Sequence, residues 1–449
     1  MVTLQILHNT MIINRNICIL EKHTMCPATL CFLLTLAFFS PAHAELTAMD
    51  EELSDDSAQA IFDLAIEERD SGKVYNAIEK FEYILSRRPS LNRARLELAV
   101  SYHRANQHDE ALREFQTVLD DPKTSEKVRL AILAYIGQLS SDELKPKSEH
   151  SFSYYTKAGI LYNSNINFAP LRGTELFLDD QDAASPGLDT FLSASHRYKN
   201  NRPFDTGGAA TDFEWQSQIS WTGNNYTRNN DFSLNIISAS TGPAFISTGR
   251  WRGAISLQID QMYFGESALG TFISLNPLLT FDLGSYRGIT FELSYTDNNF
   301  VRPEDEGRDG NSILAGASYS TLLGGTNNGL EAGFRLTDQT ADDDQFGYES
   351  AEIYFGGFIT FAKINNIYLN LNFEQFEYDA ADQLASTPPT IRDEIESRYV
   401  LGYNYDFSSG SLQGWTLNTH ISYTRNNSNI DFYNYERKIF AINLARYFI

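Results

Sequence analysis

Apolar and polar residues alternate one by one over the C-terminal two thirds of this chain. Ile289, Phe291, Leu293 and Tyr295 are interleaved with Thr290, Glu292, Ser294 and Thr296, and Ile367, Leu369, Leu371 and Phe373 with Tyr368, Asn370, Asn372 and Glu374. Successive strand side chains point to opposite faces, so each segment has one apolar and one polar face. A strand buried on both sides would be apolar throughout, and a membrane helix needs about 20 apolar residues in a row. Many such strands in series, split by Asn, Gly and Asp turns, predict a barrel with lipid outside and water inside. A Gram-negative outer membrane is where such a barrel belongs.

Clear alternation marks about 13 segments, far more than a small sheet uses. They are Phe152–Tyr162, Phe213–Trp221, Phe232–Phe245, Arg252–Met262, Phe272–Leu283, Ile289–Tyr295, Ile313–Leu322, Leu330–Leu336, Ile353–Phe361, Ile367–Phe376, Tyr399–Phe407, Trp415–Tyr423 and Ile439–Phe448. The connections near Ser408–Gly410, Ile364–Asn366, Gly324–Asn328, Gly284–Gly288 and Thr248–Trp251 are short, as periplasmic turns are. Those at Asn426–Tyr435, Asp379–Arg392, Asp338–Phe346 and Asp297–Gly310 are longer and mostly acidic, as suits the outer surface. With both ends of the barrel in the periplasm the strand number must be even, which predicts a returning strand at Leu188–Tyr198 and about 14 strands in all. Pro277, inside a segment, predicts a bulge or a barrel corner, because proline cannot donate to the ladder.

Ahead of the barrel the rhythm turns helical. Leu64, Ala65, Ala77 and Phe81 recur as Leu98, Ala99, Ala111 and Phe115, each pair 34 positions apart (98 − 64, 99 − 65, 111 − 77, 115 − 81). That is the tetratricopeptide period. Small Ala65 and Ala77 let two antiparallel helices approach, Gly72 lies at the turn, Phe81 fills the gap, and Pro89 and Pro122 end the second helices. A third helix over about Ser125 to Leu139, apolar at Val128, Ile132, Leu133 and Ile136, caps the stack. Two repeats are few for a free-standing solenoid, so the domain should lean on the barrel rim. A client-binding groove would be lined from the first helices by Phe62, Arg69, Arg93, Val100, His103 and Arg104.

All three cysteines, Cys18, Cys26 and Cys31, lie near the N-terminus. Lys22 and His23 precede an apolar run from Leu30 to Phe39 and a small-x-small Ala42-His43-Ala44, the pattern of a secretory signal cleaved after Ala44. The mature chain then offers no thiol for a disulfide or metal site. The division of the 449 residues is a signal at 1–44, an acidic linker at 45–57, a periplasmic repeat domain at 58–141 and a barrel at 150–449. In fold class the protein is multidomain: a small all-α tetratricopeptide-repeat solenoid followed by an antiparallel transmembrane β-barrel.

The composition narrows the function. With 30 Phe and 24 Tyr but only 42% hydrophobic residues, the chain suits a barrel with aromatic girdles and a polar lumen. A net charge of −23 argues against nucleic acid as a partner. His420 shares the polar face of its segment with Ser422, the only suggestion of a barrel hydrolase. Neither a metal-ligand spacing nor a phosphate loop occurs, and no cofactor is called for. The expectation is a protein that is not an enzyme.

Signal, short repeat domain and a barrel of this size together resemble the surface lipoprotein assembly modulators (Slam). The first barrel strand adds to the likeness: Ala158-Gly159-Ile160-Leu161-Tyr162-Asn163-Ser164-Asn165-Ile166-Asn167 is similar to the stretch that opens that family's barrel, Asn163 standing where it uses aspartate. The resemblance runs from about Ala58 to the end and implies a translocator. Such a translocator carries client proteins, lipoproteins or soluble secreted ones, from periplasm to surface or medium. Its implied partners are outer-membrane lipid, a periplasmic client or its chaperone, and the barrel-insertion machinery. That machinery reads terminal aromatics, here Tyr447 and Phe448. An exopolysaccharide export porin also joins periplasmic repeats to a barrel and is the alternative. It usually has more repeats and a wider pore, and an acidic chain suits its anionic polymer poorly. A diffusion porin would need no periplasmic domain.

Overall fold

The structure, a computed structural model, describes residues 54–448 apart from 106, 122–123, 144–148, 171–183, 201, 248–249, 285, 324–327, 363 and 384–385. The expected signal, residues 45–53 of the expected linker, and Pro122 lie outside the described residues.

Five helices come first: α1 (Asp55–Asp70), α2 (Val74–Arg87), α3 (Asn92–Arg104), α4 (His108–Leu119) and α5 (Glu126–Glu143). Ser54 caps α1, its side chain accepting from the Ser57 N–H at 3.2 Å, with Asp55 and Asp56 in the first turn. Gly72 makes the turn to α2 with a φ of 87°, a conformation that disfavours any side chain. The paired repeat positions Ala65 and Ala99, Ala77 and Ala111, and Phe81 and Phe115 are all buried. Leu64 and Leu98 part company: Leu64 is 45% exposed, whereas Leu98 is 3% exposed in the junction between the hairpins. Leu64 has no preceding hairpin to cover it. On the far side, Val128, Ile132 and Ile136 of α5 pack on Ala99, Ala111, Phe115 and Val118, which closes the stack as expected.

Fourteen strands then close into one antiparallel barrel. They are β1 (His150–Asn163), β2 (Ser185–Lys199), β3 (Ala210–Tyr226), β4 (Leu234–Ser247), β5 (Trp251–Phe264), β6 (Ser267–Gly284) and β7 (Arg287–Phe300), followed by β8 (Gly310–Leu322), β9 (Gly329–Gln339), β10 (Tyr348–Phe361), β11 (Asn365–Asp382), β12 (Thr390–Asp406), β13 (Trp415–Ser428) and β14 (Tyr435–Phe448). Each pairs with its sequence neighbours, and β1 closes on β14 with Tyr154 opposite Phe448 and Asn163 opposite Ile439. The strand inferred from parity alone is β2. A two-residue strand, Phe204–Asp205, pairs with the start of β3 inside the connecting turn.

The two faces of the wall divide as the alternation requires. Phe291, Leu293, Ile353, Leu369 and Leu401 are exposed outward, while their neighbours Glu292, Ser294, Glu352, Tyr368 and Val400 are buried inward. An exposed apolar belt of this extent is stable only against lipid, which places the protein in the outer membrane. Pro277 sits in regular register opposite Ile255, and the register shifts fall elsewhere, at Met262/Tyr263, Asp282/Gly284 and Glu377/Ala381. Of the bulge or corner expected there, the bulge is absent: on the β7 side the ladder skips residues 276 and 277 without slipping. Pro243 does the same between β4 and β5.

The helical domain touches the periplasmic rim, as its small size led us to expect. At the start of α2 the Tyr75 N–H donates to the Gly208 carbonyl at 2.9 Å, and the Tyr75 hydroxyl to the Pro203 carbonyl at 3.3 Å. Gly208 lies in the β2–β3 turn with a φ of 83°, and a Cβ there would strike the Asn76 side chain.

Candidate functional site

The barrel interior is a layered lumen. Toward the periplasmic turns lies a cavity of about 520 Å³, lined among others by Arg252, Glu331, Tyr354, Tyr368 and Asn370. Three aromatic residues brace its wall by lying over a glycine on the adjacent strand: Phe358 over Gly329, Tyr354 over Gly333, Tyr368 over Gly402. A side chain at any of these glycines would evict the ring.

Above the cavity runs a belt of buried ion pairs. Lys157 of β1 binds Asp189 of β2 at 2.7 Å, Arg335 of β9 binds Glu352 of β10 at 2.6 Å, and Arg398 of β12 binds Glu396. Asn372 donates to Glu352, Ser350 to Glu374 at 2.8 Å, and the Tyr435 hydroxyl to Glu396. Burying ionised groups is costly unless they are paired, as these are.

At the barrel seam, Gly159 of β1 stands between Asp189 and Asn443 in the register of its two neighbours. Because Gly159 has no side chain, the Asn443 amide of β14 reaches over β1 and donates to Asp189 at 2.9 Å. The carboxylate thus holds Lys157 and Asn443 together, and three strands are clasped across the closure.

The outer mouth is occupied in part by the chain itself. After β1 the chain turns into the mouth instead of leaving it, and Asn165, Ile166, Asn167, Phe168 and Ala169 are all buried. Asn165 holds this turn: its Oδ1 accepts the Ala169 N–H at 2.8 Å, and its Nδ2 donates to the carbonyls of Ala169 (3.0 Å) and Glu436 (3.1 Å). Asn163 donates to the Tyr226 hydroxyl at 2.8 Å. Phe168, at a φ of 54° that is strained for a side-chain-bearing residue, packs with Leu234, Ile236, Met262, Leu269, Phe272, Phe300 and Tyr435. The other half of the mouth is polar. Arg392 lies between the rings of Tyr378 (3.6 Å) and Tyr433 (4.2 Å), beside Glu394 at 3.6 Å, and Arg308 of the β7–β8 loop pairs with Asp305 at 3.2 Å.

The residues expected to line a groove on the helical domain are not all on a surface. Phe62 is buried, edge-on to Phe81 at 5.5 Å, with the Arg93 guanidinium over its other side at 4.4 Å. It is a core residue because it lies on the inner face of α1, in one buried cluster with Ala65, Ile78, Phe81 and Ile84. Arg69 is also buried and pairs with Glu97 of the next hairpin, joining the repeats rather than facing a partner. Val100 packs against the second core cluster, and His103 is half-buried beside the ring of His108. Arg104 is exposed and bonds Asp70 at 3.0 Å. Burial works against ionisation of Asp70, but Arg69 and Arg104 more than compensate and hold its carboxyl below the usual aspartate range.

His420 and Ser422 both face the lumen and are buried, on the polar face where the alternation put them. The apolar half of the mouth escaped the sequence reading. Its signal was there: Leu234, Ile236, Met262, Phe272 and Phe300 are apolar in the inward phase, which breaks the alternation at the outer ends of β4 to β7.

Fold and lumen together define a class: an outer-membrane β-barrel protein with an N-terminal helical domain on its periplasmic rim and a segment of its own chain folded into the outer mouth. No family model matches the chain. It is similar to the "Surface lipoprotein assembly modifier" of Pasteurella multocida (strain Pm70), at 20% identity over 405 residues, 86% of this chain and 75% of that protein. That agrees with the resemblance found in the sequence. Among solved structures it is similar to OmpT, an outer membrane protein of Vibrio cholerae, with a TM-score of 0.39, 8% identity, and coverage of 68% of this chain and 99% of that one. The outer membrane protein opdK of Pseudomonas aeruginosa gives a TM-score of 0.34 and 12% identity over 66% of this chain and 98% of that one. Likenesses at this level carry no argument about function.

Proposed function

We propose that the protein is an outer-membrane translocator, not an enzyme, delivering a client protein from the periplasm to the cell surface or medium. One observation carries this reading: the lumen has a chamber at its periplasmic end, and the chain's own residues 165–169 fold into its outer mouth as a stopper. A permanently open porin has no use for such a stopper, and a purely structural barrel has no use for the chamber. The helical domain, docked at the rim through Tyr75, stands where a client or its chaperone would arrive. Arg93, Val100, His103 and Arg104 are the residues of the expected groove left to meet it. The similarity to a protein named for surface lipoprotein assembly favours a lipoprotein client; the polysaccharide-export alternative gains nothing from a lumen walled by paired acids.

Two experiments test the proposal. Deleting residues 54–143 should leave an inserted barrel that no longer displays or secretes the client. Locking the stopper with a disulfide between Phe168→Cys and Ile236→Cys should block export until a reductant is added. Export at the normal rate by both the truncated and the oxidised protein would refute the reading.

A further inference from the structure

Every other deeply buried cation described in the barrel has a carboxylate within salt-bridge distance: Lys157 has Asp189, Arg308 has Asp305, Arg335 has Glu352, Arg392 has Glu394, and Arg398 has Glu396. Arg437 of β14 has none. It points inward, is 4% exposed, and leaves Nε and Nη2 without a hydrogen-bond partner; the Phe168 ring lies 4.7 Å from the guanidinium carbon. The hydroxyls of Tyr435 and Tyr226, and the charges of Glu396 and Arg398, are near enough to act on it. The two Glu396 oxygens, however, are already engaged by Arg398 and the Tyr435 hydroxyl. Arg398 adds repulsion, so the trio keeps one positive charge in excess. Burying an unpaired guanidinium costs several kcal/mol.

Directly across the ladder from Arg437 stands Thr424 of β13. Its hydroxyl is also buried and also lacks a partner. Side chains opposite one another on one face of a sheet lie about 5 Å apart at Cβ, close enough to grip one small group together. We propose that Arg437 and Thr424 form an oxyanion-binding site beneath the stopper, the guanidinium supplying charge and paired N–H donors and the hydroxyl a further donor. Phe168 covers the arginine when the site is empty, so an arriving oxyanion competes with the ring that plugs the mouth. The group bound is the carboxylate of a polypeptide or a free phosphate, which share this chemistry.

The test uses the full-length protein in detergent micelles and chloride-free buffer. The thermal midpoint is followed by tryptophan fluorescence as inorganic phosphate or N-acetylglycine is added. At least one of the two should raise the midpoint of the wild type, phosphate alone marking the free anion and N-acetylglycine the polypeptide carboxylate as the source. Arg437→Gln should lose the response while being no less stable than the wild type without anion, a combination that a merely structural arginine does not give. Thr424→Val should weaken the apparent affinity roughly tenfold, the value of one hydrogen bond to a charged group. Arg437→Lys, which keeps the charge but not the forked donors, should respond more weakly. A wild type indifferent to both anions would overturn the site, and so would Gln, Val and Lys variants that respond like the wild type.

Discussion

The clasp at the barrel seam yields the sharpest test of how this wall closes. In Gly159→Ala the new Cβ points into the lumen, where it would collide with the Ile442 carbonyl oxygen, the Asn443 Cα and the Asn443 amide oxygen. Two of those three atoms are backbone and cannot swing aside. Overpacking of this kind costs about 1–3 kcal/mol. Displacing the Asn443 amide also breaks its bond to buried Asp189, and a hydrogen bond to a charged group contributes about 1.5–3 kcal/mol. We expect a loss of about 3 kcal/mol or more, over a hundredfold in the folding equilibrium. Urea unfolding from lipid vesicles, read through the chain's 4 tryptophans, measures it. Asn443→Ala isolates the polar part, with an expected loss of about 1.5–3 kcal/mol. The double variant should lose less than the sum, because both changes break the same bond while the Ile442 collision remains. A Gly159→Ala barrel within about 0.5 kcal/mol of wild type, the scatter of an inconsequential surface change, would refute the clasp.

Other consequences can be measured alongside. Leu371→Arg, on the lipid face near mid-membrane, should cost about 2–4 kcal/mol in the same assay, whereas Ser320→Arg, exposed in the chamber wall, should change stability by under about 0.5 kcal/mol; equal penalties would mean the facing is wrong. Gly208→Val should undock the helical domain, seen as faster proteolysis between α5 and β1 with unchanged barrel stability; unaltered cleavage would dismiss the Tyr75 contact. Arg69→Glu should unfold the helical hairpins at lower temperature by circular dichroism, because it sets two carboxylates together in a partly buried site, while Arg104→Glu should be close to neutral.

Much of the fold was legible along the chain. The period of two marks wall strands, the period of 34 marks helical hairpins, and parity supplied β2 because a barrel with both ends on one side cannot have an odd count. Both faces of the wall follow from the same alternation. Strand lengths did not: β12 begins at Thr390, well before the Tyr399 where alternation becomes clear, and β11 runs on to Asp382. Beyond the membrane both faces meet polar surroundings, so the apolar rhythm fades while the backbone ladder continues.

What only the tertiary structure decided is the site. Asn165 and Phe168 lie far from Arg437 in sequence, and nothing local says that the chain after β1 folds back into its own mouth. That depends on the barrel being wide enough to admit the turn and on inward apolar residues of β4 to β7 being there to receive Phe168. The burial of Phe62 and Arg69 is of the same kind, since helical periodicity names a face but not what a neighbouring hairpin covers. Sequence determines which side of each element is apolar; closure of the barrel and stacking of the hairpins determine which of those sides meet, and whether a charge among them finds its counter-charge.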